Sequence, residues 1–507
     1  MTTFRIRSFG LETMDKAWRL IIGLTVFRLI YIGFAPVTAQ EAYYWLYSQY
    51  PALSYVDHPP LVAYSILLGT TLFGDNGYGI KFMAVIWSLM TNILLYQTAR
   101  RGLVGRPDSE ARNIGFLAVV LFNLTLFANI FAVIQQPDPA LLFFWLLVLY
   151  FIQEFRITGR PQNFIFAGIA LGFGLLSKYT AIAITPGILI ALLIDKDTRN
   201  SLLTPYPYLA MVVAIAIFAP VIAWNREHDW ISFTMQFNQR AKDATGEHAI
   251  HIGYFLQLIA TQLAMLTPLV FVLFVKSCVT MGSGWRSHRP AQLHFLSGVF
   301  LIIGFTLISL TSKVKFHWLL PGYLGAIIAI ALLLRDSRPF PSKWCSRGAW
   351  LSITLVTAFY VLFIVPGFQI VQVNNWSGWK EFSHQIVSLQ KKLGGKDKVF
   401  IFTDSHKTAA YITLYSATHQ RAYAHNIVGS FAKQLSMWDI PEALNGMDGL
   451  YVSTRPDLSP PEKKMLGKHF DDVALAATFT YPLLALGDDS TRRVYCFLAR
   501  NYSIKPR

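Results

Sequence analysis

The sequence predicts a polytopic α-helical membrane protein with about 11 to 13 transmembrane helices and a small C-terminal α/β domain. Of the 507 residues, 54% are hydrophobic and only 14% are charged. A typical soluble domain is about 25% charged. Apolar runs of about the length that crosses a membrane fill the chain before residue 368, and the composition becomes that of a soluble α/β protein after it.

Each predicted span is an apolar run of roughly the 20 residues that a helix needs to cross the bilayer. The runs are 18–36, 78–99, 113–133, 139–155, 163–177, 179–195, 205–224, 251–275, 291–311, 317–334 and 349–367. The stretch 59–73 is shorter and follows Pro59-Pro60, which favours an interfacial or re-entrant helix. The basic N-terminus enters the first run without a small-residue cleavage site, so we expect a retained first span.

Basic residues sort to one side of this arrangement. With the N-terminus inside, nearly every short basic cluster falls in an inside loop, as the positive-inside rule requires. The clusters contain Arg5, Arg7, Lys16, Arg19, Arg100, Arg101, Arg106, Arg112, Arg156, Arg160, Lys196, Arg199, Lys276, Arg286, Arg289, Arg335, Arg338, Lys343 and Arg347. The net charge of +16 therefore reflects membrane orientation, and nucleic-acid binding loses its main support.

Polar interruptions of the apolar pattern collect on the opposite, outer face. Charged groups at membrane depth are costly and usually mark a functional cavity. These residues are Glu41, Asp57 and His58 in the first outer loop (37–77), Asp138, Lys178, Tyr179, Arg240, Lys313, Lys315 and His317. We therefore place a candidate active site on the outer face.

The chain divides into a membrane domain, 1–368, and a soluble α/β domain, 369–507, which the odd number of spans puts on the outer side. The segments "DKVFIFTD", "MDGLYVST" and "RRVYCFLA" predict strands, and "HKTAAYITLYS" and "SPPEKKMLGKHF" predict helices. No internal repeat is visible. The three cysteines are too few and too scattered for a disulfide framework or a metal cluster.

The acids of the outer face are the candidate catalytic groups. Carboxylates at such a place deprotonate a hydroxyl, bind a divalent cation or orient sugar hydroxyls. Asp57 and His58 are the candidate metal ligands, although no histidine pair has metal-ligand spacing. The aromatic residues around Tyr44 suit a sugar face or an isoprenoid chain, or they form an interfacial belt.

The basic residues of the outer face indicate an anionic partner. Ammonium and guanidinium groups bind phosphate oxygens through charge-assisted hydrogen bonds. Lys178, Lys313, Lys315 and Arg240 are the candidates, and the alternative for each lysine is a side chain that snorkels at a helix end. Hydrogen bonding at the interface is the simpler interpretation of His58 and His317.

The ordered motifs "QEAYYWLYSQYPALSYVDHPPLVAY", "PDPALLFFW", "LLSKYTA", "WNREHDWISF" and "KVKFHWLLPGY" resemble the bacterial type-C fold glycosyltransferases. That branch is related to protein O-mannosyltransferases and to the lipid A aminoarabinose transferase, and the resemblance covers residues 1 to about 370. It implies transfer of a sugar from a polyprenyl-phosphate donor, with inversion, at the periplasmic face of a bacterial inner membrane.

The resemblance carries over to particular positions. The family's Asp-Glu pair falls on Gln40 and Glu41, so the first acid is missing here. The acid before Pro-Pro falls on Asp57, and the next acid falls on Asp138. Because a hydroxyl acceptor needs a base whereas a phosphate acceptor is already anionic, two routes stay open: Asp57 or Glu41 acts as base, or the acceptor is a phosphate.

The sequence therefore predicts a glycosyltransferase that acts on lipopolysaccharide, lipid A or another envelope glycan. A protein O-glycosyltransferase is one alternative. A transporter or flippase of lipid-linked sugars is another, but transporters generally show repeated halves and midplane sites. A membrane sensor with an outer ligand-binding domain is the third.

Overall fold

The structure is a computed structural model that describes residues 15–103, 105–236, 250–285, 288–334, 343–369, 374–485 and 491–505. The chain forms two compact units. The first unit comprises Met1–Gly33, His58–Val62 and Lys81–Phe359, and the second comprises Phe34–Asp57, Ala63–Ile80 and Tyr360–Arg507. The sequence-based division at residues 368 and 369 stays a prediction.

The helices that precede the C-terminal sheet follow one another closely along the chain. They are α1 (Lys16–Tyr31), α2 (Ala39–Ser48), α3 (Leu61–Phe73), α4 (Gly77–Arg101), α5 (Asp108–Asn123), α6 (Leu126–Val133), α7 (Pro137–Thr158), α8 (Gln162–Ser177), α9 (Thr185–Ile194), α10 (Tyr206–Glu227), α11 (Ile252–Gly284), α12 (Arg289–Ile308), α13 (Leu320–Leu334) and α14 (Lys343–Ile364). Short 3-10 turns at Tyr179–Ile184, Arg199–Leu203 and Phe316–Trp318 separate some of them.

Among the described residues, six helices are long and apolar enough to cross a membrane: α4, α7, α10, α11, α12 and α14. The bent pair α5 and α6 makes a seventh candidate. Every apolar run predicted from the sequence contains a helix, so the polytopic helical architecture is confirmed. The number of full-length spans is smaller than predicted because several predicted runs fold into helices of 10–17 residues, among them α8, Tyr179–Ile194 and α13. Helix α3 is also of this length, as predicted for 59–73.

The break between α5 and α6 bends the chain by 76°. Thr125 caps α6 through its hydroxyl oxygen. Beside the break, Arg28 of α1 is 1% exposed and donates hydrogen bonds of 2.9 Å to the side-chain oxygens of Asn123 and Asn129. Burying a charge is costly unless it is hydrogen-bonded. These polar contacts therefore stabilise the bent arrangement.

Polar groups lie at both ends of α7. Near its C-terminal end, the Glu154 carboxylate accepts two hydrogen bonds of 2.6 Å from Arg101. Arg156 donates to Asp195 at 2.8 Å. Asp138 lies in the first turn of the same helix. At 1.5 Å per residue, Asp138 and Glu154 are about 24 Å apart along the axis, so the predicted outer residues and inner basic clusters lie at opposite helix ends.

Helices α12 and α13 pack at very short range through glycines. A Cβ atom added to Gly298 would lie 1.9 Å from the carbonyl oxygen of Gly322. Small residues allow such close backbone approach between membrane helices. Any larger side chain at Gly298 would therefore force the two helices apart.

The second unit contains an α/β fold in its C-terminal part. Its strands are β1 (Phe368–Gln369), β2 (Val399–Thr403), β3 (Asp448–Ser453), β4 (Asp472–Pro482), β5 (Leu484–Ala485) and β6 (Thr491–Arg500). Its helices are α15 (Trp379–Lys392), α16 (His406–Tyr415) and α17 (Pro460–His469). Four strands form a sheet in the order β2-β3-β6-β4, in which β2 and β3 are parallel and the other pairs are antiparallel.

The three strands and two helices predicted for this region are confirmed as β2, β3, β6, α16 and α17. Helix α15 and strand β4 were not predicted. Helix α2 from the N-terminal part of the chain packs against α16 within the same unit. The Tyr411 hydroxyl of α16 donates a hydrogen bond of 3.0 Å to the carbonyl oxygen of Val37.

Candidate active site

A buried ion pair joins the start of α7 to the end of α8 in the first unit. Lys178 follows Ser177, the last residue of α8, in an extended conformation. The Ser177 hydroxyl donates a 2.6 Å hydrogen bond to the carbonyl oxygen of Pro137. This contact aligns the Lys178 ammonium 2.8 Å from Asp138 Oδ1, with side chains 7% and 4% exposed. An ammonium has three N–H donors, so two remain for another acceptor.

A neutral histidine lies within electrostatic range of this pair. Burial lowers the pKa of His317 to about 3, and the positive charge of Lys178 acts in the same direction. Lys315 and His58 also disfavour a charged ring, whereas Asp138 opposes them. His317 is therefore neutral near pH 7 and adds no positive charge to this group.

Asp57 is the centre of a second polar group, which belongs to the second unit. Its side chain is nearly buried, and Oδ1 accepts hydrogen bonds from the Tyr43 hydroxyl at 3.2 Å and the Tyr47 hydroxyl at 3.3 Å. Burial raises the pKa of both phenols, and the charge of Asp57 raises it further. Both tyrosines therefore stay protonated and act as donors to the carboxylate.

The C-terminal part of the second unit completes this group with Lys433 and Gln434. The Lys433 ammonium lies 2.9 Å from Asp57 Oδ2. The side-chain oxygen of Gln434 accepts a 2.8 Å hydrogen bond from the backbone N–H of Val56. The backbone N–H of Gln434 donates a 3.2 Å hydrogen bond to the hydroxyl oxygen of Tyr43. Lys433 has a φ of +53°, a left-handed conformation that is costly for a side chain of this size. The Lys433-Gln434 segment thus holds both the backbone and the carboxylate at Asp57.

His406, at the start of α16, packs against Tyr43. Its ring centroid is 4.6 Å from that of Tyr43. Burial, assisted by the charge of Lys433, lowers the pKa of His406 to about 3. Its Nε2 atom is buried and has no hydrogen-bond partner among the residues that the structure describes. The neutral ring thus brings an unsatisfied polar atom into the Asp57 group.

Glu41 has a local structural contact instead. It is fully buried in the first turn of α2, and its Oε2 atom accepts hydrogen bonds of 2.9 Å from both the backbone N–H and the hydroxyl of Thr38. Together with the hydroxyl of Thr38, which caps the N–H of Glu41, this forms a capping box. These contacts explain why Glu41 is buried without requiring that it act in catalysis. A catalytic role for Glu41 stays a prediction.

The structure also places the other predicted site residues. Gln40 lies in the first turn of α2, half-buried. Tyr44 is buried, with its ring centroid 5.6 Å from that of Tyr47. Tyr179 packs against Phe218 and Phe233. Lys313 and Lys315 are exposed. Arg240 lies outside the described residues, as do Arg5, Arg7, Arg286, Arg335 and Arg338 of the basic clusters.

The contacts of Asp57 do not fit a metal site. In the ranges that the structure describes, no group of three or more His, Cys, Asp and Glu side chains could hold a metal ion. The Lys433 ammonium already contacts the Asp57 carboxylate and would repel a second cation. The metal hypothesis for Asp57 and His58 stays a prediction, and no step proposed below uses a metal ion.

Sequence reasoning missed Lys433, Gln434 and His406. A buried carboxylate needs a counter-charge or hydrogen-bond donors, so the burial of Asp57 would have indicated that a partner exists. Lys433 is one of several lysines in the C-terminal region, and its distance from Asp57 along the chain hides the pairing. Tyr43 and Tyr47 belong to the aromatic residues around Tyr44, for which the sequence predicted only a surface for a sugar or an isoprenoid chain or an interfacial belt.

Comparison with known proteins supports the class of protein that the motifs indicate. The model of the dolichyl-phosphate-mannose-protein mannosyltransferase family matches residues 57–224. Lipid A galacturonosyltransferase RgtD of Rhizobium johnstonii is 28% identical over 81% of this chain and 85% of its own length. Undecaprenyl phosphate-alpha-4-amino-4-deoxy-L-arabinose arabinosyl transferase of Edwardsiella ictaluri is 24% identical over 57% of this chain, which spans about half (51%) of that relative.

Solved structures show the same fold. The crystal structure of ArnT from Cupriavidus metallidurans in the apo state matches with a TM-score of 0.61 and 14% identity, over 94% of this chain and 97% of ArnT. The structure of ArnT bound to undecaprenyl phosphate matches with a TM-score of 0.59 at the same identity, over 97% of this chain and 100% of that one.

The fold and the motifs together define an integral membrane glycosyltransferase of the type-C fold. The chain is thus similar in sequence to the dolichyl-phosphate-mannose-protein mannosyltransferase family and to lipid A glycosyltransferases, and similar in fold to ArnT. The transporter and sensor alternatives are therefore set aside.

Proposed function

We propose that the protein transfers a sugar from a polyprenyl-phosphate donor to lipid A or to the lipopolysaccharide core. The observation that carries this proposal is the similarity to lipid A galacturonosyltransferase RgtD, which extends over most of both chains. A core galacturonosyltransferase of the same organism, RgtB, is 26% identical over 61% of this chain. Among the curated relatives, acceptors named as lipid A or core thus recur.

Lys178 of the first unit is suited to bind the phosphate that leaves with the polyprenyl chain. In an inverting transfer, the acceptor oxygen bonds to the anomeric carbon while the bond from that carbon to the phosphate oxygen breaks, and the phosphate keeps the electron pair. Lys178 has two N–H donors beyond its contact with Asp138. In this proposal they bind the developing phosphate charge, and Asp138 keeps the ammonium in position.

In this proposal Asp57 acts on the acceptor of the sugar. If the acceptor is a hydroxyl, its proton must leave as the new bond forms. Asp57 is our candidate for the base, because its oxygens are fixed by two phenols and one ammonium, whereas Glu41 is committed to a helix cap. For a phosphate acceptor, no base is needed, and the same group would orient the acceptor.

We further propose that the active site and the C-terminal domain face the periplasm. The basic clusters support this orientation, because Arg101 and Arg156 lie at the opposite end of α7 from Asp138. A reporter that is active only in the cytoplasm, fused after Arg507, should stay silent. Strong cytoplasmic activity would contradict the orientation.

Purified full-length protein should transfer sugar from a polyprenyl-phosphate donor to lipid A, as measured by mass spectrometry of the lipid product. Protein and peptide acceptors, incubated in parallel, should remain unmodified. Transfer to the peptide instead of the lipid would replace this proposal with the protein O-glycosyltransferase alternative. Absence of transfer to every acceptor, with donors of several sugars, would contradict it altogether.

A further inference from the structure

The second unit contains a cationic cavity whose lining does not include Asp57, Tyr43, Tyr47 or Lys433, and the proposed reaction assigns it no role. Its volume is about 420 Å³, within the size range of small-molecule sites. Lys407, Arg492 and Arg493 line it. Among its described lining residues there is no Asp or Glu. A cavity with three cationic side chains and no lining carboxylate favours an anionic ligand.

Arg492 is held rigidly in this cavity. One guanidinium nitrogen donates to the carbonyl oxygen of Ser377 and another to that of Asn374, both at 2.5 Å. Burial lowers the pKa of Arg492, since its charge has lost part of its hydration. An anion in the cavity would replace that hydration. The fixed guanidinium is thus suited to bind a phosphate or carboxylate without further ordering.

The other wall of the cavity is aromatic. Trp379 and Tyr411 stack with their ring centroids 5.4 Å apart and their planes within 12°. Tyr411 is 1% exposed and Trp379 is 6% exposed, and the Tyr411 hydroxyl donates to the carbonyl oxygen of Val37, so Tyr411 offers the cavity no hydrogen-bond donor. Aromatic faces pack against sugar rings and alkyl chains. The ligand that fits both walls is therefore an anion carried on a sugar or a lipid, not a bare ion.

The cavity lies close to the end of a membrane helix. Candidate span α14 ends at Ile364, and within the second unit Gly367 donates a hydrogen bond of 3.1 Å to the Ser377 hydroxyl. The Leu484 N–H donates to Gly367 at 2.8 Å, next to the lining residue Leu483. The Trp376 ring packs 4.9 Å from Phe363 of α14, as expected at a membrane interface. A ligand in this cavity would thus be near lipid headgroups.

From this geometry we infer that the cavity binds a phosphate group of a membrane lipid, and that this lipid is the glycosyl acceptor. The inference that this lipid is the acceptor rests on the proposed function. The inference that a phosphate site exists is independent of that function, because the phosphate site follows from the charges, the aromatic wall and the adjoining membrane helix. The site would recognise an acceptor by its phosphate rather than by the hydroxyl that receives the sugar.

The test uses full-length protein in phosphatidylcholine nanodiscs. The probes are lipid A with its phosphates, the same lipid A after dephosphorylation, phosphatidylglycerol and inorganic phosphate. The double variant Lys407→Gln/Arg493→Gln removes two cavity charges and spares Arg492, whose hydrogen bonds support the fold. The matched control Lys463→Gln/Lys464→Gln removes two exposed charges from α17.

Native mass spectrometry should show that the cavity variant binds phosphorylated lipid A at least roughly tenfold more weakly than the control, the loss expected for charge-assisted hydrogen bonds. Dephosphorylated lipid A should bind weakly to both. Equal binding of phosphorylated lipid A by the two variants would overturn the site, and so would inorganic phosphate competing as strongly as the lipid. Equal affinity for phosphatidylglycerol would keep the lipid-phosphate site but overturn the acceptor assignment.

Kinetics separate this inference from the proposed function. In the cavity variant, KM for the acceptor should rise while KM for the donor stays unchanged. If transfer is normal in that variant and lipid binding is also unchanged, the cavity inference fails and the function stands. If no acceptor is ever glycosylated but binding still depends on Lys407 and Arg493, the function fails and the lipid site stands.

Discussion

At the residue scale, two buried carboxylates of the N-terminal part of the second unit have different partners. Asp57 accepts hydrogen bonds from two phenols and contacts the Lys433 ammonium. Glu41 accepts hydrogen bonds from Thr38, the N-cap residue that precedes its own helix. A carboxylate fixed by side chains from distant segments is positioned relative to the rest of its unit. A capping carboxylate is positioned only relative to its helix, and so we propose Asp57, rather than Glu41, as the catalytic carboxylate.

Replacing Asp57 with Asn should lower turnover by about 10²-fold or more, because the amide preserves the shape but removes the basicity. Glu41→Gln should reduce turnover less than Asp57→Asn does. It should lower the free energy of unfolding by about 1 kcal/mol, because the helix loses its cap. Turnover and melting temperature of both folded variants with a polyprenyl-phosphate sugar donor test this assignment. A nearly normal Asp57→Asn enzyme beside an inactive, stable Glu41→Gln enzyme would reverse it.

Lys433→Gln should lower kcat, because the Asp57 carboxylate loses the ammonium that lies 2.9 Å from its Oδ2 atom and is then held less firmly. The exposed Lys392→Gln variant of the same unit is the control. A folded Lys433→Gln enzyme with the same kcat as the control would contradict a role for Lys433 in positioning Asp57.

His406 should make the folded protein sensitive to acid. Its pKa is about 3 in the folded state, against an ordinary value of 6.5. As the pH decreases, His406 is therefore protonated in the unfolded chain at a higher pH than in the folded protein. The free energy of unfolding consequently falls as the pH decreases from about 6.5 toward 3. At pH 5 the loss attributable to His406 should be about 1–2 kcal/mol. His406→Gln should narrow the difference in melting temperature between pH 7.5 and pH 5, whereas exposed His384→Gln should not; equal narrowing would contradict the assignment.

Individual contacts of the site were only partly predictable. Asp57, Asp138 and Lys178 attract attention because charge is rare in so apolar a sequence. The pairing of Lys178 with Asp138, and of Asp57 with Lys433, depends on how distant segments pack. A single sequence contains no information on such pairs. Whether these residues act in catalysis stays a prediction that the variants above test.

At the element scale, the junction between α7 and α8 depends on the Asp138–Lys178 pair. Lys178→Met would leave a carboxylate that is 4% exposed without its counter-charge and should destabilise the protein by about 3–5 kcal/mol. The double variant Lys178→Met/Asp138→Leu should recover most of that stability. Arg100→Met, which breaks an exposed pair with Asp108, should cost less than about 1 kcal/mol.

Activity distinguishes the structural role of this pair from a role in donor binding. If Lys178 binds the donor phosphate, the stable double variant should still show a strongly raised donor KM or lost turnover. Melting temperature in detergent and donor kinetics are measured on the same preparations. Normal donor kinetics in the double variant would make the pair a structural element only.

Helices and strands were more predictable than side-chain contacts, because apolar periodicity and length determine them locally. The short helices α8 and α13 correspond to apolar runs that were expected to span the membrane. Hydropathy measures the apolar character of a run, but the residues at which its helix begins and ends depend on packing and capping. The bend between α5 and α6 likewise depends on Arg28, which belongs to another helix.

At the scale of the whole molecule, the chain combines a bundle of membrane helices with an α/β unit. That unit includes the segment 34–57 from the N-terminal part of the chain. The composition indicated both parts, and the motifs indicated the superfamily. The assignment of segment 34–57 to the second unit was not visible in the sequence, because it depends on the packing of α2 against α16. The fold is shared with ArnT, whereas the donor sugar and the acceptor depend on the residues of this chain.

The most direct test of the central claim is mass spectrometry of envelope glycolipids from cells with the protein, without it, and with the Asp57→Asn variant. We predict that lipid A or core from cells with the protein carries one sugar that is absent in the other two strains, and that purified protein restores it from a polyprenyl-phosphate donor. Identical lipid A and core in all three strains, with no transfer in vitro, would contradict the account.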